Sequence, residues 1–372
     1  MATRITPYAQ EHVEQMLQFN QRVRAGGMQS QFPAQPTSDW LPPVPGRRIF
    51  QDYYVALDDS STVRGAYILK HQDFKLGDQV ISIGDFQLPI SEGAVNRTYA
   101  SVATTLLLDC QRKQPLLDGL GIGGHNEAVA RLVKAAGWSF ATVPFFFKVI
   151  YPFQFFRKTT FLRRSAAKRL VLDMAAFSGL GCLALKICHS LKNRNLDRSQ
   201  AVTVRQIDAF GPWADELWEA CRNNYPYIAV RDQATLDILY PREKAKFIRL
   251  QVLDGSRLLG WAVMLDTQMT KHKHFGAMRL GSVVDALAAP QDAGAVVAAA
   301  TRLLQQRGVD LVVSNFSHRD WGAGFDAAGY LRGPSNFLHA TSRPLSKLLA
   351  ERQIDIGDMH LNRGDGDGPI NL

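Results

Sequence analysis

Cysteine is scarce in this 372-residue chain: Cys110, Cys182, Cys188 and Cys221 are the four, and no two form a C-x-x-C pair. That excludes a disulfide-dense secreted scaffold and leaves no spacing for a structural zinc site. No Walker-type phosphate loop, nucleophile elbow or H-E-x-x-H helix is present, so those three chemistries have no sequence support. The opening residues, MATRITPYAQEH, lack the apolar core of a secretory leader, and a cytoplasmic location is expected. Long hydrophobic runs are missing too. The stretch from Leu170 to Ile187 is charge-free only between Met174 and Leu185, short of the roughly 20 residues a spanning helix needs. Acidic residues are nearly absent from one segment. Between Tyr151 and Gln200 ten Lys and Arg face only Asp173 and Asp197, which places +8 of the chain's +9 net charge there. A nucleic-acid enzyme would spread its basic residues over a working surface; here they are confined.

What the chain does have is apolar residues, 46% of the total, enough for two cores. It also resembles itself across the basic segment. DDSSTVRGAYILK (58–70) and DGSRLLGWAVML (254–265) each read as a hairpin whose return strand opens on a glycine, Gly65 or Gly260. ISIGDFQLPI and MRLGSVVDAL follow, with Gly84 and Gly281 in corresponding places. Each is succeeded by a loop, a helical run (TYASVATTLLLDCQRKQ or DAGAVVAAATRLLQQRG) and a short apolar strand. H-N-E at 125–127 and H-R-D at 318–320 then lead to Gly137-Trp138 and Gly329-Tyr330. The last strands, VPFFFKVI and NFLHATS, close units at 1–150 and 201–350. Helices alternating with strands predict an α/β fold with a central sheet in each unit. Residues 351–372, with RGDGDGP, read as an irregular Gly- and Asp-rich tail.

The run HNEAVARLVKAAGW resembles the N-E-A-A-I-R-L-Y-E-K-L-G-F signature of the GCN5-related N-acetyltransferases, the GNAT family. Asn126, Glu127, Ala128, Arg131, Leu132 and Gly137 match in spacing, and Trp138 stands for the aromatic Phe. In physical terms Asn126 caps a helix, apolar residues bury one face, and Gly137 ends it. The family's loop [RQ]-x-x-G-x-[GA] binds the pyrophosphate of acyl-CoA through amides at a helix N-terminus. Its counterparts here are Gln291-Asp-Ala293-Gly294-Ala295-Val296 and Arg97-Thr-Tyr-Ala100-Ser-Val102; valine departs from the pattern in both and would crowd the anion. The tyrosine that often serves the family as general acid is replaced by Val133 and Phe325. The resemblance implies two tandem GNAT-like mixed-sheet domains, 1–150 and 201–350, joined by a basic, partly apolar helical insert, 151–200. It implies an acyltransferase with acyl-CoA (acetyl-CoA) as co-substrate and no metal. Donor contacts would come from Arg97 and Asn126 in the first half and from Gln291, Ala293, Gly294, Ala295 and Val296 in the second, whose fuller loop makes it the expected donor half. Tandem degenerate units also resemble the Fem-type transferases, which take aminoacyl-tRNA.

Acyl transfer needs a base for the acceptor's proton, and GNAT-like folds commonly carry it on the fourth strand. Asp285 and Asp85 are therefore expected bases, with His318 as a third candidate titrating near neutrality. The favoured reading of His318 and His125 is nonetheless as helix-capping or packing residues of the repeat. The KHKH run at 271–274 sets His272 and His274 on one strand face without a third ligand, so a solvated turn is expected and no metal site. The basic insert mixes bulky aromatics with paired Lys and Arg, a pattern suited to an anionic membrane surface, to an inter-domain brace, or to tRNA. The expected acceptor is an amine or hydroxyl of a sugar or cell-envelope glycan precursor, met at the cytoplasmic face of the inner membrane. Two alternatives stand beside this reading: an aminoacyl-tRNA-dependent transferase, and a non-catalytic GNAT pair acting as a binding module in polysaccharide assembly.

Overall fold

The computed structural model describes residues 3–366 apart from 161–162, 164, 166–169, 171, 175–176, 179–180, 182, 184–201, 271 and 273–274. Most of the basic insert, three members of the KHKH run (Lys271, Lys273 and His274) and Asp367 of the tail therefore lie outside the described residues. The chain divides into two compact units, Met1–Thr142 with Asn336–Asp355, and Val143–Ser335 with Ile356–Leu372.

Unit 1 runs β1 (Arg4–Pro7), α1 (Val13–Ala25), β2 (Phe50–Leu57), β3 (Val63–Leu76), β4 (Gln79–Ser91), α2 (Val102–Lys113), β5 (Leu117–Leu120), α3 (Ala128–Ala135) and β6 (Ser139–Thr142). Helix α1 forms because Met16, Phe19, Asn20 and Val23 recur at helical spacing and bury one face. The β2–β3 turn is set by Asp58, whose Oδ1 accepts from Ser60 N (2.9 Å) and Thr62 N (3.0 Å) while Oδ2 accepts from Arg64 Nε (2.7 Å). One sheet face packs Phe19, Val23, Val55, Ala66 and Ile90 with α1. The other packs Tyr67, Leu69, Phe86 and Leu117 against Val102, Leu106, Cys110 and Val133 of α2 and α3.

Unit 2 opens with β7 (Phe145–Val149) and α4 (Pro152–Lys158) and then repeats the order, with one added strand and helix (β9 and α6), as β8 (Thr203–Ile207), α5 (Trp213–Cys221), β9 (Tyr227–Ala229), α6 (Gln233–Leu239), β10 (Ile248–Asp254), β11 (Arg257–Gln268), β12 (Arg279–Ala288), α7 (Ala293–Gln306), β13 (Leu311–Asn315), α8 (Arg319–Ala327) and β14 (Leu331–Gly333). The glycines that line up in sequence do the same work in both units. A Cβ on Gly65 would meet Ile90 O at 3.0 Å and Val102 Cγ1 at 2.7 Å; on Gly260 it would meet Leu287 O at 2.4 Å and Val296 Cγ2 at 2.7 Å. Each glycine lets a helix valine seat against the sheet. Gly137 (φ 80°) and Gly329 (φ 81°) end α3 and α8 in the left-handed region.

The expected domain boundaries fail at the last strands. VPFFFKVI forms β7 (Phe145–Val149), which enters the unit 2 sheet between β13 and β14. NFLHATS forms β15 (Leu338–Thr341), which enters the unit 1 sheet between β5 and β6. The two sheets thus have matching orders, β1-β2-β3-β4-β5-β15-β6 and β8-β10-β11-β12-β13-β7-β14, with the seventh strands exchanged. A strand's own pattern states that it will pair but does not name its partner. The expected irregular tail is also corrected. Helix α9 (Arg343–Glu351) ends at the first residue of that tail, and beyond it Met359–His360 is a strand (β16) parallel to β9, with Leu361, Asn362 and Asp365 buried in unit 2.

Gly260→Ala should lower the unfolding midpoint by several degrees, because a Cβ 2.4 Å from a strand carbonyl forces a backbone shift worth about 1–3 kcal/mol. Gly124→Ala, with nothing within 4 Å, should leave thermal unfolding unchanged.

Candidate active site

The parallel strands of each sheet pair briefly and then part. In unit 1 the β4–β5 ladder consists of Gly84–Leu117 and Asp85–Asp118. Past it β4 follows β3 to Ser91, and β5 turns off at Gly121 (φ 87°). A bulge accompanies the parting: Ala66 pairs with Ile90 but Ile68 with Gln87, and Leu88 inside the bulge takes φ 44°. The exposed turn Arg97–Tyr99 leads into α2, with Asn96 Oδ1 accepting from Thr98 N (3.1 Å). Glu92 braces this loop from inside. It is 4% exposed and accepts hydrogen bonds from Arg22 and Arg64, and the Arg64 guanidinium lies 4.2 Å from the Tyr99 ring centre.

Unit 2 parts one register later, after Val283–Ser314, with its bulge between Val263–Asp285 and Met264–Val283. Its gap is filled by the chain itself. Asn362 bridges Phe316 beyond β13, and Gly364 N donates to Val284 O on β12 (2.9 Å), so residues 362–364 cross from one parted edge to the other. Ser317 N donates to Leu361 O, and Leu361 N donates to Ser317 Oγ. A buried polar network holds the segment. Arg231 Nε donates to Asp285 Oδ2 (2.8 Å) and Arg231 Nη2 to Asp365. Tyr240 Oη (2.6 Å) and Asn362 Nδ2 (2.8 Å) also donate to Asp285. Burial drives the Tyr240 hydroxyl well above its ordinary pKa, and it lowers the Arg363 guanidinium to about 10. Tyr225 Oη donates to Ala288 O (2.7 Å) and accepts from Trp321 Nε1 (2.9 Å), with the His318 and His360 rings edge-on at 4.8 Å.

No protein-family model and no curated protein matches the chain. Solved structures do. A conserved Enterococcus faecalis V583 protein, named a probable N-acyltransferase, shares 9% identity over 94% of this chain and 74% of its own, with a TM-score of 0.51. The GCN5-related N-acetyltransferase of Kribbella flavida shares 11% over 91% and 70%, also at 0.51. Saccharomyces cerevisiae N-myristoyltransferase with bound myristoyl-CoA shares 8% over 91% and 82%, again at 0.51. The chain has a GNAT-like fold, twice. At these identities the likeness concerns the fold.

The parted strands separate the expected site residues. Asp285 is fully buried and saturated by Arg231, Tyr240 and Asn362, so it has no side facing an acceptor. His318 is 6% exposed and caps α8, its Nδ1 accepting from Asp320 N (3.3 Å); burial lowers its pKa. Val296 and Ala293 are wholly buried, and the Val296 side chain seats on Gly260 rather than facing an anion, so the valine crowds nothing at the loop. Gly294 lies at a helix crossing that constrains its neighbour: a Cβ on Gly324 of α8 would come within 3.0 Å of Gly294 Cα, whereas a Cβ on Gly294 would make an ordinary 3.8 Å contact with Gly324 Cα. Gln291 is exposed and Ala295 half-buried. Asn126 is exposed and does not cap α3, whose N-cap position is Glu127. Arg97 is exposed at the entrance to α2, and Asp85 is buried at the last paired register of β4. His272 sits in the tight turn closed by Gly276, as a turn reading expects. Arg231, Tyr240, Asn362 and Asp365 were not legible as a cluster, although a lone arginine inside the apolar run YIAVRD was a signal of buried pairing.

His360 ties the packing of the segment to pH. Burial holds it neutral, far below its ordinary pKa, with Nε2 unbonded. The unfolded chain binds a proton below about pH 6.5 that the folded chain refuses, so stability falls with acidification by up to about 1.4 kcal/mol per pH unit from this group. Thermal unfolding midpoints of the wild type should drop between pH 7 and 5, and His360→Phe should flatten that slope. An equal slope in both proteins would remove His360 as its cause.

Proposed function

We propose that the chain is an acyl-CoA-dependent N-acyltransferase whose unit 1 takes the donor, while unit 2 carries a closed copy of the same site. The observation that carries this reading is the contrast between the two partings. Among the described residues no backbone hydrogen bond within unit 1 crosses the gap past Asp85–Asp118, whereas residues 362–364 cross that of unit 2. An acyl group reaching between parted strands meets backbone donors that the sheet no longer uses, and the exposed entrance to α2 offers amides and a helix dipole to a pyrophosphate. Arg97 adds a cation there. This assigns the donor to the half whose motif is the poorer match, because residues 362–364 occupy the gap beside the fuller loop of unit 2.

The acceptor in this reading is a sugar or cell-envelope glycan precursor, reached with the help of the basic insert at an anionic membrane surface. Support for the surface comes from composition: ten Lys and Arg beside the apolar run 170–187, each worth about 1 kcal/mol near anionic lipid. No described helix is long and apolar enough to cross a membrane.

Ala100→Asp tests the donor assignment. A carboxylate at the start of α2 favours the helix dipole by about 0.3–1 kcal/mol yet repels a pyrophosphate, so folding should hold while acyl-CoA affinity falls about 10-fold by calorimetry. Gln291→Glu in unit 2 should leave affinity unchanged. Equal losses would overturn the choice of unit, and a wild type that binds aminoacyl-tRNA but no acyl-CoA would overturn the donor. For the insert, vesicles containing anionic lipid should co-sediment the wild type at low salt, and replacing Arg163, Arg164, Lys168 and Arg169 by Gln should release it. Binding to neutral vesicles alone would rule out the electrostatic part.

A further inference from the structure

Large apolar side chains gather on one exposed face of unit 2. Tyr151, Phe153, Leu170, Met174 and Phe177 are all between 42% and 67% exposed. Tyr151 and Phe153 flank Pro152 at the start of α4, whose inner side is buried, with Phe155 packed among Val149, Met278, Leu311 and Val313. Leu170, Met174 and Phe177 are helical and recur at i, i+4 and i+7, so they lie on one helix face. The two pieces are tied together. The Phe177 ring stands edge-on to Phe153 with centres 5.6 Å apart, and the Arg157 guanidinium lies 5.1 Å from the Phe177 centre. Asp173 accepts from Arg157 Nη1 (3.2 Å), from Arg163 Nη1 (2.8 Å) and from Arg163 Nη2 (2.9 Å). The β11–β12 turn is held beside α4. Thr160 Oγ1 donates to His272 O (3.4 Å), and a Cβ on Gly276 would come within 2.2 Å of Lys158 O. This brings His272, between Lys271 and Lys273 in the sequence, to the same edge. Unit 1 shows that the fold does not require exposed rings here. Its corresponding helix, α9 after the exchanged strand β15, buries Leu345 and Leu349 and turns Arg343, Lys347 and Glu351 outward.

Exposed apolar residues are normally scattered singly, and a contiguous cluster marks a contact surface. The surrounding charge selects the partner. Residues 151–200 carry ten Lys and Arg against two Asp, and one of those two, Asp173, is already held by Arg157 and Arg163. A second copy of the chain would set like charge against like. A nucleic acid would match the charge and could stack on the aromatic rings, but Leu170 and Met174 offer a base no ring. An anionic bilayer matches both features: its headgroups meet the guanidinium and ammonium groups, and the acyl boundary beneath takes the aliphatic and aromatic side chains. We propose that unit 2, whose strand gap is closed, is the membrane-docking module of the chain, and that Phe153, Leu170, Met174 and Phe177 insert into an anionic bilayer. The inference rests on the membrane part of the function proposed above and is independent of the donor assigned to unit 1. It goes beyond attraction by charge, because the inserted side chains hold the protein on the surface to which Lys and Arg steer it. It also gives the second copy of the fold a task that does not use its gap.

The test uses the full chain with vesicles of phosphatidylcholine, alone or mixed equally with phosphatidylglycerol. Phe153→Ser combined with Phe177→Ser removes two exposed rings, so the thermal unfolding midpoint should hold. Co-sedimentation of that double variant with the mixed vesicles should need about 10-fold more lipid than the wild type. Leu108→Gln, which removes an exposed leucine from α2 of unit 1, should bind as the wild type does. In Phe177→Trp, the emission added to that of the wild type should be quenched by lipids brominated on their acyl chains. Should the double variant not fold, this quenching decides. Wild-type affinity in the double variant, or no quenching in Phe177→Trp, would overturn insertion and leave the electrostatic reading standing. A wild-type dimer in solution that the double variant dissociates would overturn it in favour of a protein interface. A wild type that ignores the mixed vesicles at low salt would remove the membrane reading, and this inference with it.

Discussion

Two parallel strands that separate leave backbone donors and acceptors with no ladder partner, and buried backbone groups must find one. Much of the polar interior of unit 2 follows from that constraint. Val284 O at the bulge receives Gly364 N, and this brings Asn362 and Asp365 inside with it. Asp285, one residue past the bulged Val284, cannot be buried alone, and Arg231 meets both carboxylates with one guanidinium. Tyr240 Oη then adds a second donor to Asp285 Oδ2, and Asn362 Nδ2 satisfies Oδ1. Removing any one of these partners would strand a charge or a polar group in a dry interior, so the segment is held as a unit.

Two copies of one topology in one chain act as an internal control on what each residue is for. Features present in both copies belong to the fold: Gly65 with Gly260, Gly84 with Gly281, the bulge in the fourth strand, and the glycine that ends the helix after the fifth. Features present in one copy need a separate reason. Gly324 of α8 is accounted for by packing, since a Cβ there would come within 3.0 Å of Gly294 Cα. Lys70, Asp85 and Asp118 have no such account in packing, since Leu265, Ser282 and Val313 do the packing in the other copy.

The repeat, the α/β class and the fold resemblance were legible because they rest on local signals: helical spacing, strand runs and glycines at fixed offsets. The exchanged seventh strands were not. Phe145–Val149 and Leu338–Thr341 read clearly as strands, but the choice between two equivalent sheet positions is made by tertiary context. The buried tail was missed for a related reason. R-G-D-G-D-G has the composition of a loop, and nothing local reveals that Gly364 and Asp365 have partners some 80 and 134 residues away in sequence. Asp85 was legible as a charged residue on an apolar strand. Asp118 and Lys70, equally out of place in their strands, became informative only when the register put them beside it.

The filled gap of unit 2 also indicates what kind of occupant such a gap accepts. The segment enters as a donor of N–H groups: Gly364 N to the bulge carbonyl, Asn362 Nδ2 to the carboxylate at the parting, Leu361 N to Ser317 Oγ. By cross-strand register that carboxylate, Asp285 opposite Val263, takes the place of Gln87 opposite Ile68 in unit 1. Unit 1 presents the same bulged strand with acceptor-rich side chains around it, Asp85 and Asp118 at the inner end and Gln87 beside them. Those carboxylates are already held by the fold before any occupant arrives: Gln87 Nε2 donates to Asp85 Oδ2 (2.7 Å), and His339 Nε2 lies 3.5 Å from Asp118 Oδ2.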